Sequence, residues 1–402
     1  MSDFCLVRQP IFGPKGTLIG YEIRYRNATG EQALAQTLQS GAFDLVRGKQ
    51  PAFLSCSAEQ LLGETFSAAD PSTLVLLLPP TTGNDPDIVA ALDQFRAAGG
   101  HVALDGITVA ESPSETLLGH ASWIRVNASS LSDEEFALIK QRVFSRNPNV
   151  KVLAGRIELP QDHGVAMKAQ AHGFQGTFFS RPEPVPSTEL PQSTVAAIRL
   201  LGMARDPNIQ DRKLEDVLES DPVLTFQLLQ LVNSAAIGSR GVSSIGQALR
   251  LIGRGVFQRW LAVAVAASKK SSTGVDQELV RQAVARGRLL EQLGDRNRDA
   301  GTMFLVGLFS MLDAVFRMPL HEILERVALN DEATSALLDR SGPYADALSF
   351  AESYELGLFE NATMLAQDMG IDPGTVSELY TNAVQWTAEA LDSLEAKQPV
   401  GR

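Results

Sequence analysis

Short apolar runs recur through the first part of the chain, at residues 4–9, 18–25, 52–55, 73–78, 101–104, 123–126, 150–153 and near Phe174. Runs of this length, rich in branched aliphatic and aromatic side chains, read as β-strands. After the second run, helix-length segments separate them, which is the pattern of strands joined by crossover helices. Residues 74–78, Leu-Val-Leu-Leu-Leu, contain no polar position, so both faces must be buried, as in the strands of a parallel barrel. The pattern predicts a TIM-like (β/α) barrel, in which functional groups gather at the C-terminal ends of the strands.

Past Phe179, prolines at 182, 184 and 186 stop any helix and favour an extended joint. The period then becomes helical. Leu224, Leu228, Leu231 and Val232 fall on one face, and Ile245, Ala248, Leu249 and Ile252 on another. Asp221-Pro222 suits the start of the first of these helices, and Ser243 or Ser244 can cap the second. The apolar stretch 303–312 is expected in the core. The charges scattered over 276–299 are expected on a solvated helix face. The predicted organisation is α/β plus all-α: a barrel over 1–181, a Pro-rich connector over 182–189, and a helical domain over 190–402.

Composition narrows what such a chain can do. With 402 residues, 44% of them hydrophobic, it can fill two cores. A net charge of −12, with both halves acidic, argues against nucleic acid as a partner. No apolar run approaches the roughly 20 residues of a membrane helix, and the N-terminus lacks the pattern of a secretion signal, so a cytoplasmic protein is expected. Cys5 and Cys56 suit a reducing compartment and cannot build a four-cysteine zinc cage, although a single bridge stays open. The histidines at 101, 120, 163 and 172 lack metal-ligand spacing.

Arg8-Gln9-Pro10-Ile11-Phe12 followed by Gly20-Tyr21-Glu22-Ile23-Arg24-Tyr25-Arg26, then residues 53–61, Ala103-Leu104-Asp105, residues 153–158, Gln175-Gly176 and Ser180-Arg181-Pro182, resemble in order the landmarks of the EAL domain. Active members of that family hydrolyse cyclic di-GMP, and the chemistry uses two divalent ions held by oxygen ligands at the strand ends. The resemblance puts the signature Glu at Glu22 and the phosphate-contacting Arg at Arg26. Asp105, Glu158 and Gln175 also match. The second-strand Asn falls at Ser55 and the third-strand Glu at Leu77. The partner of Asp105 falls at Gly106, a further Glu at Gly155, and the water-organising Lys at Arg125. Position 127 is Asn127 where the family has Asp. A guanidinium cannot act as a compact ammonium does. This pattern implies a vestigial site with no catalytic residues and no metal. Glu22 and Asp105 are then expected to be held by backbone, Arg26 or Arg125.

Residues 220–225, containing Asp221 and Pro222, residues 228–235, containing Asn233 and Ser234, and residues 244–253 resemble the successive motifs of an HDOD domain, a helical relative of the HD phosphohydrolases. HD chemistry gathers several His and Asp ligands on one metal. Here His321 is the single histidine after residue 188, and Gly307-Leu308-Phe309-Ser310-Met311 stands where the His-Asp pair would lie. Asn233 and Ser234 read first as a helix terminus.

The implied function is that of a non-enzymatic signalling adaptor in cyclic di-GMP related regulation, of motility or adhesion. Its expected partners are other signalling proteins, with self-association as a further option. It is expected to have no cofactor, no nucleic acid partner, no membrane contact and no binding of cyclic di-GMP. A cyclic dinucleotide receptor that binds without hydrolysis, using Arg26 and Gln175, and a weak phosphodiesterase are the alternatives.

Overall fold

The computed structural model describes residues 4–27, 31–39, 41–63, 65–109, 113–130, 132–180, 192–205, 208–233, 242, 244–268, 273–294, 299–325, 327 and 329–395. The connector 182–189 and Ser234 lie outside them. The first half holds β1 (Phe4–Phe12), β2 (Leu18–Asn27), α1 (Glu31–Gln39), α2 (Ala42–Arg47), β3 (Ala52–Ser55), α3 (Ala58–Leu62), β4 (Leu74–Leu78), α4 (Pro86–Ala97), β5 (His101–Ile107), α5 (Glu115–His120), β6 (Trp123–Asn127), α6 (Asp133–Phe144), β7 (Lys151–Ile157), α7 (Pro160–Lys168) and β8 (Gly173–Gly176). The strands close in sequence order into an eight-stranded barrel.

The barrel departs from an all-parallel one at β1, which runs antiparallel to both β2 and β8. The cause is local. Residues 13–17 are too few for a crossover helix, which takes a dozen or more. They form a tight hairpin in which the Gly13 amide donates to the Thr17 carbonyl at 2.7 Å and Gly16 takes a left-handed φ of 70°. Ile11, Phe53, Val75, Leu77, Ala103 and Leu153 fill the barrel interior, while Leu54, Leu76, Leu104, Ile124 and Val152 point outward onto the helices. This is the alternation that a strand period of two imposes.

The second half is helical: α8 (Gln192–Arg205), α9 (Asp211–Glu219), α10 (Pro222–Val232), α11 (Ile245–Ala267), α12 (Gly274–Leu293), α13 (Ala300–Phe309), α14 (Leu312–Phe316), α15 (Leu320–Leu324), α16 (Asp331–Leu338), α17 (Ala345–Glu355), α18 (Phe359–Asp368) and α19 (Val376–Glu395). The expected caps are present. Asp221 Oδ1 accepts from the Leu224 amide at 3.1 Å, and Ser244 Oγ from the Gln247 amide at 3.3 Å. Asn233 ends α10 as a clamp: its side chain donates to the carbonyls of Leu229 and Val242, each at 2.8 Å, and accepts from the Val242 amide at 3.0 Å. α11 bends at Gly253, whose φ of 74° suits glycine. Met303, Phe304, Leu308 and Phe309 are buried, as expected of core.

The two halves pack together along β1. β8 is so short that it pairs only with Ile11 and Phe12, which leaves the N-terminal part of β1 without a strand on that side. The helical half satisfies this edge. The Tyr354 hydroxyl donates to the Leu6 carbonyl at 3.0 Å and accepts from the Leu6 amide at 3.2 Å, and the Arg8 amide donates to the Tyr380 hydroxyl at 3.5 Å. Burial, the largest influence, pushes the Tyr380 hydroxyl up to about 12. Cys5 and Val7 join the helical core. Neither Cys5 nor Cys56 is in a disulfide, and both are buried.

Along α12 the solvated charged face expected over 276–299 is not found. α12 is central to the interdomain packing, and Asp276, Glu278, Arg286 and Glu291 on it are buried. Glu278, fully buried, accepts from the Tyr21 hydroxyl at 2.7 Å and faces Arg8 at 3.6 Å. Glu291 lies between Arg259 at 2.9 Å and Arg288 at 2.6 Å. Charges removed from water need such partners, since an unpaired buried ion costs several kcal/mol. Charge patterning along α12 could not show that the partners come from β1, β2 and other helices.

Candidate functional site at the barrel mouth

The C-terminal ends of the parallel strands surround a cavity of about 690 Å³ lined by Gln9, Glu22, Arg24, Asp105, Arg125 and Gln175, with Gly106, Gly155 and Arg156 in its wall. Register explains the convergence. Gln9 lies opposite Glu22 on β1 and β2, and Asp105 opposite Arg125 on β5 and β6.

Arg125 organises the floor. Its Nε and Nη2 donate to the two carboxylate oxygens of Asp105, each at 2.5 Å, and its Nη1 donates to Glu22 Oε1 at 2.7 Å. Gln175 completes the set, donating through Nε2 to the other oxygen of Glu22 and accepting a longer contact from Arg125 Nη1 at 3.4 Å. All four carboxylate oxygens of this pair therefore accept hydrogen bonds. Burial works to lower the Arg125 pKa, but the charges of Glu22 and Asp105 and their hydrogen bonds outweigh it and hold the group above its ordinary value. The cation is permanent.

The positions that depart from the family's ligand pattern have structural roles of their own. Leu77 is sealed in the apolar barrel interior. Gly106 has a φ of 78° and sits where the β5–β6 register shifts, a bulge that favours glycine. A Cβ at Gly155 would lie 3.2 Å from Arg125 Cδ and 3.3 Å from Cγ, so glycine there makes room for the arginine. The Ser55 side chain is exposed, and its carbonyl accepts from the Tyr25 hydroxyl at 3.1 Å. Asn127 lines the cavity and accepts from the Ser129 hydroxyl at 2.9 Å. Glu158 is exposed at the rim.

Arg26 does not line this cavity. It sits farther along β2, opposite Cys5, with its Nε buried and without a hydrogen-bond partner among the described residues. Arg24 takes the mouth position instead. It shares the strand face of Glu22 two residues on, a spacing legible in the sequence. Arg156, at a left-handed φ of 55°, also enters the wall; non-glycine residues held this way concentrate at functional sites. Leu356 and Leu358 reach the mouth from the helical half, and no local pattern announces them. Among the described residues, no group of three or more His, Cys, Asp and Glu side chains is arranged to hold a metal ion, and no helix is long and apolar enough to cross a membrane.

Residues 190–335 match the HDOD domain family. The helical half therefore carries an HDOD domain over these residues. Ahead of it stands the closed eight-stranded barrel. The chain is 23% identical over 411 residues to the uncharacterized protein YuxH of Bacillus subtilis, covering 96% of this chain and 99% of that one. It is 23% identical over 404 residues to the cyclic di-GMP phosphodiesterase CdgJ of Vibrio cholerae, covering 96% and 92%. Among solved structures, the PaMucR phosphodiesterase in complex with c-di-GMP is similar to 46% of this chain over 98% of its own length, at 21% identity and a TM-score of 0.38. The Bacillus subtilis YkuI protein, with an EAL domain, in complex with c-di-GMP and calcium, is similar to 62% of this chain over 71% of its own, at 15% identity and a TM-score of 0.36.

Proposed function

We propose that this EAL–HDOD protein is a non-catalytic member of the cyclic di-GMP signalling system that acts through contacts with other proteins, in the regulation of motility or adhesion. The observation that carries the reading is Arg125, whose guanidinium engages both surviving carboxylates of the mouth, Asp105 and Glu22. Two divalent ions would bring about four positive charges and demand several oxygen ligands each. The residues present do not fit that pair. Two of the positions concerned are the apolar Leu77 and the side-chain-free Gly106, and Gly155 is the space that Arg125 occupies. In the HDOD region, Ser310 accepts from Arg286 at 2.8 Å where a histidine ligand would stand. With no hydroxide-generating centre, what the molecule offers is shape and charge: a barrel and an HDOD domain fixed to each other along β1.

A second reading, a receptor that binds a cyclic dinucleotide without cutting it, is favoured by the cavity itself. It stays open and presents Arg24, Arg156, Gln9 and Asn127, groups suited to phosphate and base edges. CdgJ and PaMucR are named for cyclic di-GMP. Titration calorimetry of the full chain with cyclic di-GMP, with and without magnesium, separates the readings. The adaptor reading expects no saturable heat in either case. Magnesium-independent binding lost in Arg24→Ala would carry the receptor reading instead, and binding that requires magnesium would count against both.

A further inference from the structure

Residues 355–358, where α17 passes into α18, touch both halves of the molecule with different atoms. Toward the barrel they offer backbone. The Leu356 carbonyl accepts from Arg24 Nη1 at 2.7 Å and from Gln9 Nε2 at 3.2 Å, and the Glu355 carbonyl accepts from Gln9 Nε2 at 3.4 Å. Gly357, at a left-handed φ of 71°, lies so close to the guanidinium that a Cβ would fall 3.0 Å from Arg24 Nη1. Toward the HDOD region the same turn offers a side chain. The Glu355 carboxylate takes Arg286 on both oxygens, with Nη2 at 2.5 Å and Nε at 3.0 and 3.2 Å. Arg286 in turn holds Ser310 at 2.8 Å and faces Glu352 at 3.5 Å. Burial acts to lower the Arg286 pKa, and Glu355, Glu352 and Asp313 more than offset it. On the barrel side Gln9 also meets Gln175, the partner of Glu22.

We propose that residues 355–358 are a latch that couples the barrel mouth to the α12–α13 region of the HDOD domain. Gln9 and Arg24 line the cavity and also hold the turn. Anything that takes those side chains at the mouth, whether a small anion or a partner's acidic side chain, competes with the turn's carbonyls. Release of the turn withdraws Glu355 from Arg286 and leaves a buried cation short of its main partner. The state of the mouth is thereby passed to α12 and to Ser310 at the end of α13. The coupling is reciprocal, as linkage requires.

Hydrogen exchange of the full chain, read by mass spectrometry, tests this without any ligand. The amides of Leu356, Gly357 and Leu358 are hydrogen-bonded to Glu352, Tyr354 and Ser353, so their exchange reports opening of the turn. In Arg24→Ala, exchange at 356–358 should quicken about tenfold, the factor expected from loss of one charge-assisted hydrogen bond. Residues 283–290 and 307–313 should quicken severalfold with it. Arg146→Ala, an exposed barrel arginine, should leave both segments unchanged. Exchange that rises only in barrel peptides, or at 356–358 but not at 283–290 and 307–313, overturns the proposal. Should Arg24→Ala fail to fold, Gln9→Ala takes the same readout. The reciprocal variant Arg286→Lys must then quicken exchange at residues 22–26, and wild-type rates there would overturn it equally.

Discussion

Replacing Arg125 with methionine removes the cation from between Glu22 and Asp105 and keeps much of the side chain's bulk. In the folded protein the side chains are 16% exposed for Arg125, 8% for Glu22 and 30% for Asp105. Removing one partner of a fully buried pair costs about 3–5 kcal/mol; because Asp105 keeps contact with water, the lower end applies, and Arg125→Met should lose about 3 kcal/mol. The loss has a specific origin, two carboxylates left facing each other without a counter-ion. Neutralising them in the same background, with Glu22→Gln and Asp105→Asn, should therefore recover about 2 kcal/mol. Asp105→Asn alone should cost about 1–2 kcal/mol, since Arg125 keeps Glu22 but loses a bidentate partner. Urea unfolding followed by circular dichroism, with the transition slope checked for constancy across the set, gives these differences. An Arg125→Met protein as stable as the wild type, or no recovery on neutralising the carboxylates, would refute the assignment of Arg125 as the resident cation of the mouth.

Three further outcomes follow from the geometry. Gly155→Glu should cost about 1–3 kcal/mol by crowding Arg125, and less in an Arg125→Ala background, as urea unfolding of the four proteins will read. Tyr21→Phe deletes the hydroxyl that donates to the buried Glu278 and should cost about 1–3 kcal/mol in the same assay; a smaller effect would mean that Arg8 alone satisfies the carboxylate. Burial lowers the pKa of His163 and of His172 below the ordinary 6.5. A depressed folded value means that stability is present above the unfolded pKa and lost as pH falls through the folded one, so the thermal midpoint should drop as the pH falls from neutrality into the acid range. His163→Phe keeps the stack on Phe178 and should flatten that drop, whereas an unchanged slope would exclude His163 as a contributor.

Much of the barrel was legible because each strand carries its own signal: residues 74–78 can be satisfied only by burial on both faces. The antiparallel start was legible in principle from the shortness of 13–17, yet the apolar runs alone do not reveal direction. In the helical half, Asp221, Ser244 and Asn233 do what their side chains allow locally, so their roles followed from sequence. α12 departs from its expected exposure for the opposite reason. Glu278 looks like any exposed charge until Tyr21 and Arg8, more than two hundred residues away, are placed against it. The same limit hid Leu356 and Leu358 at the mouth, and the dependence of Arg125 on the absence of a side chain at Gly155. Glu22, Asp105 and Gln175 do converge. Arg26 does not join them at the cavity, because the strand carries it past the mouth and Arg24 faces the space first.

On the function proposed above, the mouth builds no hydrolytic metal centre. The purified full chain should be incubated with cyclic di-GMP and magnesium or manganese, at concentrations where an intact EAL phosphodiesterase turns over, and the linear dinucleotide product sought by chromatography. No product is expected from the wild type above the level given by Glu22→Ala. Product formed by the wild type and absent from Glu22→Ala would contradict the proposed function, since the carboxylate bound to Arg125 would then be serving a working site.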